Sequence, residues 1–237
     1  MARMKHAFKF KQFEIDQTGC AMRINTDGVL LGAVALKPAA TKILDIGTGT
    51  GVIALMLAQR FPEAKIDAVE IDEQAAFIAT KNALNAPFSE RIKVIHSAIE
   101  DYSTGERYDL IVSNPPYFVN DLKNPEHRKG IARHTDAVFF ELLLRRIAGM
   151  LSSDGRFWFI LPVKQAINVI DQAGAYGLKA SVVLHIHSDE SKPEIRQIVC
   201  LDYSMQPSHH QNLYIYAALG VYTNAYKLLL KDFFLAF

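Results

Sequence analysis

From Thr41 onward, short apolar runs alternate with stretches of helical period. Lys42-Ile-Leu-Asp45, Lys65-Ile-Asp-Ala-Val69, Ile92-Lys-Val-Ile-His96 and Tyr108-Asp-Leu-Ile-Val-Ser113 read as short buried strands, and Val52 to Gln59 repeats like a helix. The rhythm β, α, β, α, β, β predicts an α/β fold built on a doubly wound, mainly parallel sheet. Helical periodicity returns from Ala137 to Leu151 and is stopped by Ser152-Ser-Asp-Gly155. Arg156 to Leu161 follows as a strand closed by Pro162, then a helix over about Val163 to Tyr176. Two long strands near Lys179–His187 and Arg196–Tyr203 are placed to pair antiparallel through the intervening loop, giving seven strands in all.

The amino terminus has a different texture. Phe8-Lys-Phe-Lys-Gln-Phe13 alternates like a half-exposed strand, Gln17-Thr-Gly19 reads as a turn, and Cys20-Ala-Met-Arg-Ile24 as a returning strand. Thr26-Asp27-Gly28 then caps an apolar helix from Val29 to Leu36. Residues 1–25 are therefore expected to form a β-hairpin extension, and 26–237 the main domain. The tail from Tyr222 to Phe237 reads as an aromatic-rich helix capping the sheet.

Chemistry gathers where strands end. Asn114-Pro115-Pro116-Tyr117 follows the run ending at Ser113, at the carboxyl edge where open α/β sheets hold ligands. The Asn114 amide oxygen and the Pro115 carbonyl are acceptors, and two prolines stiffen the turn. Tyr117 adds a ring on which a planar group can stack. A stiff acceptor pair beside an aromatic plate suits a planar –NH2, such as that of adenine or of a glutamine amide. The plain alternative is a proline turn closing a strand.

Asp45-Ile-Gly47-Thr48-Gly49-Thr-Gly51 opens the helix at Val52, and nineteen residues after Gly51 the next strand ends in Glu70, followed by Ile71. Alternate glycines let backbone approach a ligand closely, and a carboxylate at the second strand tip suits ribose hydroxyls. The third glycine comes one residue too early for a dinucleotide fingerprint, and no Gly-Lys-Ser/Thr follows to make a P-loop. A nucleoside site is the expectation. At the third strand tip, Ala98 and Ile99 are positioned to wall a base.

Composition narrows the field. The chain has 237 residues, half of them hydrophobic, enough for one well-buried domain. No apolar run approaches a membrane span, and the lysine-interleaved start is no secretory signal. Cys20 and Cys200 make no disulfide framework and have no metal spacing; neither do His185, His187 or the pair His209-His210, which reads as part of a polar loop. No metal is expected. A net charge of +1 leaves only local basic patches for nucleic acid. One lies in the amino-terminal segment, the other in Lys123, His127, Arg128, Lys129, Arg133 and His134, beside the Asn-Pro-Pro-Tyr turn.

The loop from Asp45 resembles the S-adenosylmethionine loop of class I methyltransferases, and the seven-strand order is similar to theirs. Over nearly its whole length the chain resembles the bacterial tRNA1(Val) adenine-N6 methyltransferases. The residues that carry this are Phe10-Lys-Gln-Phe13, Cys20-Ala-Met22, Thr26-Asp-Gly-Val-Leu-Leu-Gly32, Asp45-Ile-Gly-Thr-Gly49, Asn114-Pro-Pro-Tyr117, Arg133-His-Thr135 and Tyr222-Thr-Asn-Ala-Tyr226 with Phe233-Phe234. The resemblance implies a Rossmann-like fold and S-adenosylmethionine as methyl donor, leaving S-adenosylhomocysteine. It also implies adenosine 37 beside the anticodon as the target.

It further implies that Asp45, Gly47, Thr48, Gly49, Gly51, Glu70, Ile71, Ala98 and Ile99 line the cofactor. Thr26, Asp27 and Gly28 would meet its methionine end, unless they are an ordinary helix cap. Asn114, Pro115 and Tyr117 would hold the target base; Arg128, Lys129, Arg133 and His134 would meet the anticodon stem-loop. A cytoplasmic enzyme without an obligate protein partner is expected. The nearest rival is a glutamine-N5 protein methyltransferase, whose amide presents the same two hydrogens to the turn but which is disfavoured by the short segment before Thr26; a guanine-N2 rRNA methyltransferase is another option. A binding module that has lost its chemistry would have little reason to keep Asp45, Glu70, Asn114 and Tyr117 together.

Overall fold

In the computed structural model, residues 7–19, 23–116 and 128–237 are described. Five consecutive strands, β3 (Lys42–Ile46), β4 (Lys65–Glu70), β5 (Ile92–His96), β6 (Tyr108–Ser113) and β7 (Leu151–Leu161), run parallel. β8 (Lys179–His187) and β9 (Glu194–Asp202) pair antiparallel, as their alternation predicts, and β9 also pairs antiparallel with β7. With β10 (His209–Tyr214) at one edge, the sheet order is β10-β8-β9-β7-β6-β3-β4-β5, with chain direction reversed only at β9. The expected seven strands are all present. An eighth, β10 (His209–Tyr214), adds to the outer edge parallel to β8. His209 and His210 thus belong to an edge strand and not to a loop. Their polarity hides the strand because five of its six residues are at least partly exposed.

Helices cover both faces. α1 (Thr26–Val34) and α2 (Val52–Arg60) lie over one core cluster, which includes Leu30, Ile43, Leu55, Val112, Trp158 and Ile198. α4 (Arg128–Met150) and α5 (Val163–Ala173) cover the other, with Leu44, Ile111, Phe140, Phe159 and Val199. Adjacent strand residues fall into opposite clusters (Ile43 against Leu44, Ile111 against Val112), which is the period-two signature of a sheet buried on both faces. The close approach of α1 and α2 depends on Gly32, where an added Cβ would sit 2.9 Å from Met56 Sδ.

Several boundaries differ from the sequence reading. α4 begins at Arg128, nine residues before Ala137, because its first turns lack the apolar spacing that reveals a helix. β7 begins at Leu151, so the Ser152–Gly155 stretch lies inside an irregular strand whose register against β6 shifts between Tyr108 and Leu110. At the amino terminus the hairpin exists but turns earlier than expected. β1 (Ala7–Lys9) pairs with β2 (Glu14–Asp16), and Phe10 N–H closes the turn on the Phe13 carbonyl at 2.9 Å. Residues 20–22 of the proposed returning strand lie outside the described residues, and Arg23 and Ile24 are not in a strand.

The tail is not one long helix. β11 (Tyr216–Ala218) and β12 (Val221–Tyr222) form a small hairpin around Gly220, which takes φ +71°. Thr223 then caps the short α6 (Asn224–Leu230). Tyr216, Tyr222 and Tyr226 stack in sequence with ring centroids 5.0 and 4.9 Å apart, and Tyr226 and Phe233 are buried.

A single buried amide joins three of these parts. Asn82, on α3 (Glu73–Leu84), accepts from Asp16 N and donates to the Asp16 and Thr50 carbonyls, at 2.9, 3.0 and 2.9 Å. Asp16 also accepts from the Thr18 hydroxyl, pairs with Lys81 at 2.9 Å and accepts from Thr18 N–H; these hydrogen bonds, the Thr18 hydroxyl's foremost, hold its carboxyl down to about 2. Asn82→Ala would orphan three backbone groups, each costing about 1–3 kcal/mol. Urea unfolding is expected to show a loss of roughly 2–4 kcal/mol after partial rehydration.

Candidate active site

Register brings the loops together. Ile46 on β3 is paired with Val69 on β4 and Ser113 on β6, so Gly47, Glu70 and Asn114 leave the sheet on one rung. Strands about 4.8 Å apart set Glu70 and Asn114 on either side of the glycine loop, roughly 10 Å from each other. Ser113 Oγ donates to the Ile46 carbonyl at 3.0 Å and fastens the two strand tips.

The glycine loop is held from beneath. Gly47 N–H and Thr48 N–H both donate to the Val69 carbonyl at 2.8 and 3.1 Å, and Gly51 N–H donates to the Thr48 carbonyl. Gly47, Gly49 and Gly51 take φ of +72°, +58° and +84°, a region costly for residues with a Cβ. Their surroundings differ. A Cβ at Gly47 or Gly49 would meet nothing within 4 Å, so these two leave open space, whereas at Gly51 it would lie 3.5 Å from Ala79 on α3. That is ordinary van der Waals contact, so at Gly51 the left-handed φ of +84°, not lack of space, calls for glycine.

Asp45 is fully buried. Its Oδ2 accepts from Thr48 Oγ1 at 2.6 Å and from Ala54 N at 3.1 Å. Its Oδ1 is buried with no hydrogen-bond partner among the described residues. Burial pushes the carboxyl up to about 7, aided by the Glu70 charge and opposed by the Thr48 and Ala54 hydrogen bonds. The folded protein thus keeps a proton that the unfolded chain releases near pH 4. This contribution to stability is full below about 4 and is lost as pH rises through about 7. Unfolding midpoints of the protein and of Asp45→Asn, compared from pH 4 to 8, are expected to diverge in that direction, the native chain weakening relative to the variant.

Glu70 is nearly buried and fixed by two backbone donors: Gly49 N to Oε2 at 2.8 Å and Asp72 N to Oε1 at 2.9 Å. Each carboxylate oxygen keeps lone-pair capacity. Next to it, Ile71 is 68% exposed, an apolar side chain left uncovered at the rim. Ala98 is half-buried at the β5 tip, while Ile99 belongs to the core under α4.

On the other flank, Asn114 is half-buried, Pro115 buried and Pro116 exposed. Gly28 lies against this turn, since its added Cβ would be 3.7 Å from Asn114 Nδ2. The first turn of α1 is capped by Asn25, whose Oδ1 accepts from Gly28 N at 2.9 Å, and not by Thr26 as the sequence suggested. Asn is a favoured capping residue, so this was readable. Asp27 is engaged by Arg196 Nε at 2.8 Å, a contact no local pattern announces. Tyr117 lies outside the described residues, as do the side chains of Arg128, Lys129, Arg133 and His134. Among the described residues no group of three or more His, Cys, Asp or Glu side chains is arranged for a metal ion, and no helix is long and apolar enough to cross a membrane.

Comparison with known proteins agrees with this geometry. Residues 25–173 match the family model described as "Methyltransferase small domain". Among solved structures, a predicted O-methyltransferase, Atu636 from Agrobacterium tumefaciens, superposes with TM-score 0.67 at 20% identity, covering 87% of this chain and 96% of that one. TrmN from Thermus thermophilus superposes with TM-score 0.54 at 20% identity, covering 74% and 47%. These likenesses establish the class I methyltransferase fold. In sequence, the tRNA1(Val) (adenine(37)-N6)-methyltransferase of Pedobacter heparinus is 80% identical over 99% of this chain and all of its own length. The protein of that name from Bacteroides thetaiotaomicron is 39% identical over 96% and 97%. With the glycine loop, Glu70 and the Asn-Pro-Pro turn on one rung, and relatives matched from end to end, the chain belongs to the bacterial tRNA1(Val) (adenine(37)-N6)-methyltransferase family.

Proposed function

We propose that the protein methylates the exocyclic N6 of adenosine 37, beside the anticodon of valine tRNA, with S-adenosylmethionine as donor, in the cytoplasm. The observation that carries this reading is the shared rung of Gly47, Glu70 and Asn114, in a chain 80% identical to a relative bearing that name. The residues fit the donor. Gly47 and Gly49 leave room for it, Glu70 offers two carboxylate oxygens to ribose hydroxyls, and Asp45 Oδ1 is a buried polar atom with no hydrogen-bond partner among the described residues. When bound, S-adenosylmethionine supplies an electrophilic methyl on a positively charged sulfur. Ile71 and Ala98 are the apolar surfaces assigned to its base.

The adenine amine is a weak nucleophile because its lone pair is delocalised into the ring. Asn114 Oδ1 and the Pro115 carbonyl accept its two N–H bonds, favouring a pyramidal nitrogen with its lone pair free. They also stabilise the positive charge that grows on that nitrogen, a preorganised electrostatic effect. A C–S bond breaks, an N–C bond forms, and an amine proton leaves to solvent. No strong base is needed beforehand. Positioning of the two reactants contributes up to about 7–11 kcal/mol. Tyr117 is assigned to stack on the target base, which must turn out of the anticodon loop to reach the site.

The test is direct: incubate the protein with bulk RNA and labelled donor, digest, and identify the product by mass. N6-methyladenosine, lost when adenosine 37 is replaced by guanosine, is the expected result. N2-methylguanosine or labelled protein would reassign the substrate. If Arg128, Lys129 and Arg133 meet phosphate, replacing any one is expected to reduce the slope of log affinity against log salt by about one. Unchanged slopes would remove them from the RNA interface.

A further inference from the structure

We infer that Arg196 is a positioning residue for methyl transfer, acting through Asp27 on the first turn of α1 and so on the amide of Asn114. The inference rests on the acceptor role proposed for Asn114. Arg196 lies near the start of β9, the one reversed strand of the sheet, two strands from β6. Its neighbours Ile198 and Cys200 point into the α1–α2 core, while Val199 and Leu201 point into the other. Strand alternation therefore sends Arg196 towards α1.

There its Nε donates to Asp27 Oδ2 at 2.8 Å, and Nη1 donates to the Ile195 carbonyl at 2.9 Å. The Arg196 and Asp27 side chains retain 24% and 17% of their exposure, so the pair is shielded and less weakened by solvent than a surface pair. Asp27 adjoins Gly28, and an added Cβ there would lie 3.7 Å from Asn114 Nδ2. The Nδ2 end of the amide thus faces α1, which leaves Oδ1 for the target amine.

Without Arg196, the Asp27 carboxylate would be free to turn onto the open N–H groups of the helix start, where negative charge is favoured. That shift would move the surface against which Asn114 rests. A displacement of about 1 Å in such a site can cost 10²-fold in rate, so a partial shift is expected to cost about tenfold.

The experiment uses the full-length protein with its tRNA and measures single-turnover rate, donor affinity by calorimetry, and melting temperature. Arg196→Ala is expected to lower the rate about tenfold while donor affinity and melting temperature hold. Arg196→Lys, which keeps a donor, is expected to recover most of the rate. In an Asp27→Ala background, Arg196→Ala should cost almost nothing further, because the pair acts as a unit. The inference is overturned if Arg196→Ala leaves the rate intact while Asn114→Ala abolishes it. It is equally overturned if the loss appears as weaker donor binding, or if the two single losses add. Should Asn114→Ala itself leave the rate unchanged, the acceptor reading fails first.

Discussion

Asn114→Ala is expected to lower the single-turnover rate of methyl transfer by about 10²–10³, by analogy with removing one oxyanion-hole donor. Donor affinity should be unchanged. The separation follows from the site's layout. Asn114 leaves β6 on the far side of the glycine loop from Glu70, so its amide is free to serve the target and not the ribose. Its neighbours also favour a clean deletion. Ser113 is fastened to β3 by its own hydroxyl, and Pro115 is buried and conformationally fixed. The strand tip should therefore survive loss of the side chain. Rapid-quench measurement with saturating donor isolates this step, and an undiminished rate would reject the acceptor role.

Glu70→Ala is expected to act on the other half of the reaction, weakening donor binding by about 10²-fold or more. Two hydrogen bonds from ribose hydroxyls to a carboxylate are worth about 1.5–3 kcal/mol each, and 1.4 kcal/mol is tenfold in affinity. The loss should be aggravated because Glu70 also anchors the loop through Gly49 N–H and the start of α3 through Asp72 N–H. Glu70→Gln separates the two effects. Its amide keeps one acceptor oxygen, so it should retain part of the affinity. Calorimetry with S-adenosylhomocysteine reads this without turnover. If Glu70→Ala binds as tightly as the native chain, the carboxylate only supports the loop.

The local chemistry at the strand tips was legible because it is written in contiguous residues. Gly47 and Gly49 are glycines since their backbone is left-handed and faces open space, and such a requirement shows in sequence. Asn82 and Arg196 carried no sequence signal at all. Each is an ordinary polar residue in a helix or strand, and acquires its role from partners 66 and 169 positions away. The edge strand β10 escaped for another reason: hydrophobic periodicity reports burial, and an exposed strand leaves little trace of it.

What the chain alone determined was the alternation of buried strands and helices, hence the parallel sheet, and the identity of the groups that line its carboxyl edge. Those follow from nearest-neighbour geometry, which a linear sequence records. Only the tertiary structure decided which groups meet: that β3, β4 and β6 end in register, that Asp45 is sealed from water with one oxygen unmet among the described residues, and that β9 reaches back to clasp α1. Burial and long-range pairing depend on where the whole chain closes on itself, and no segment carries that information by itself.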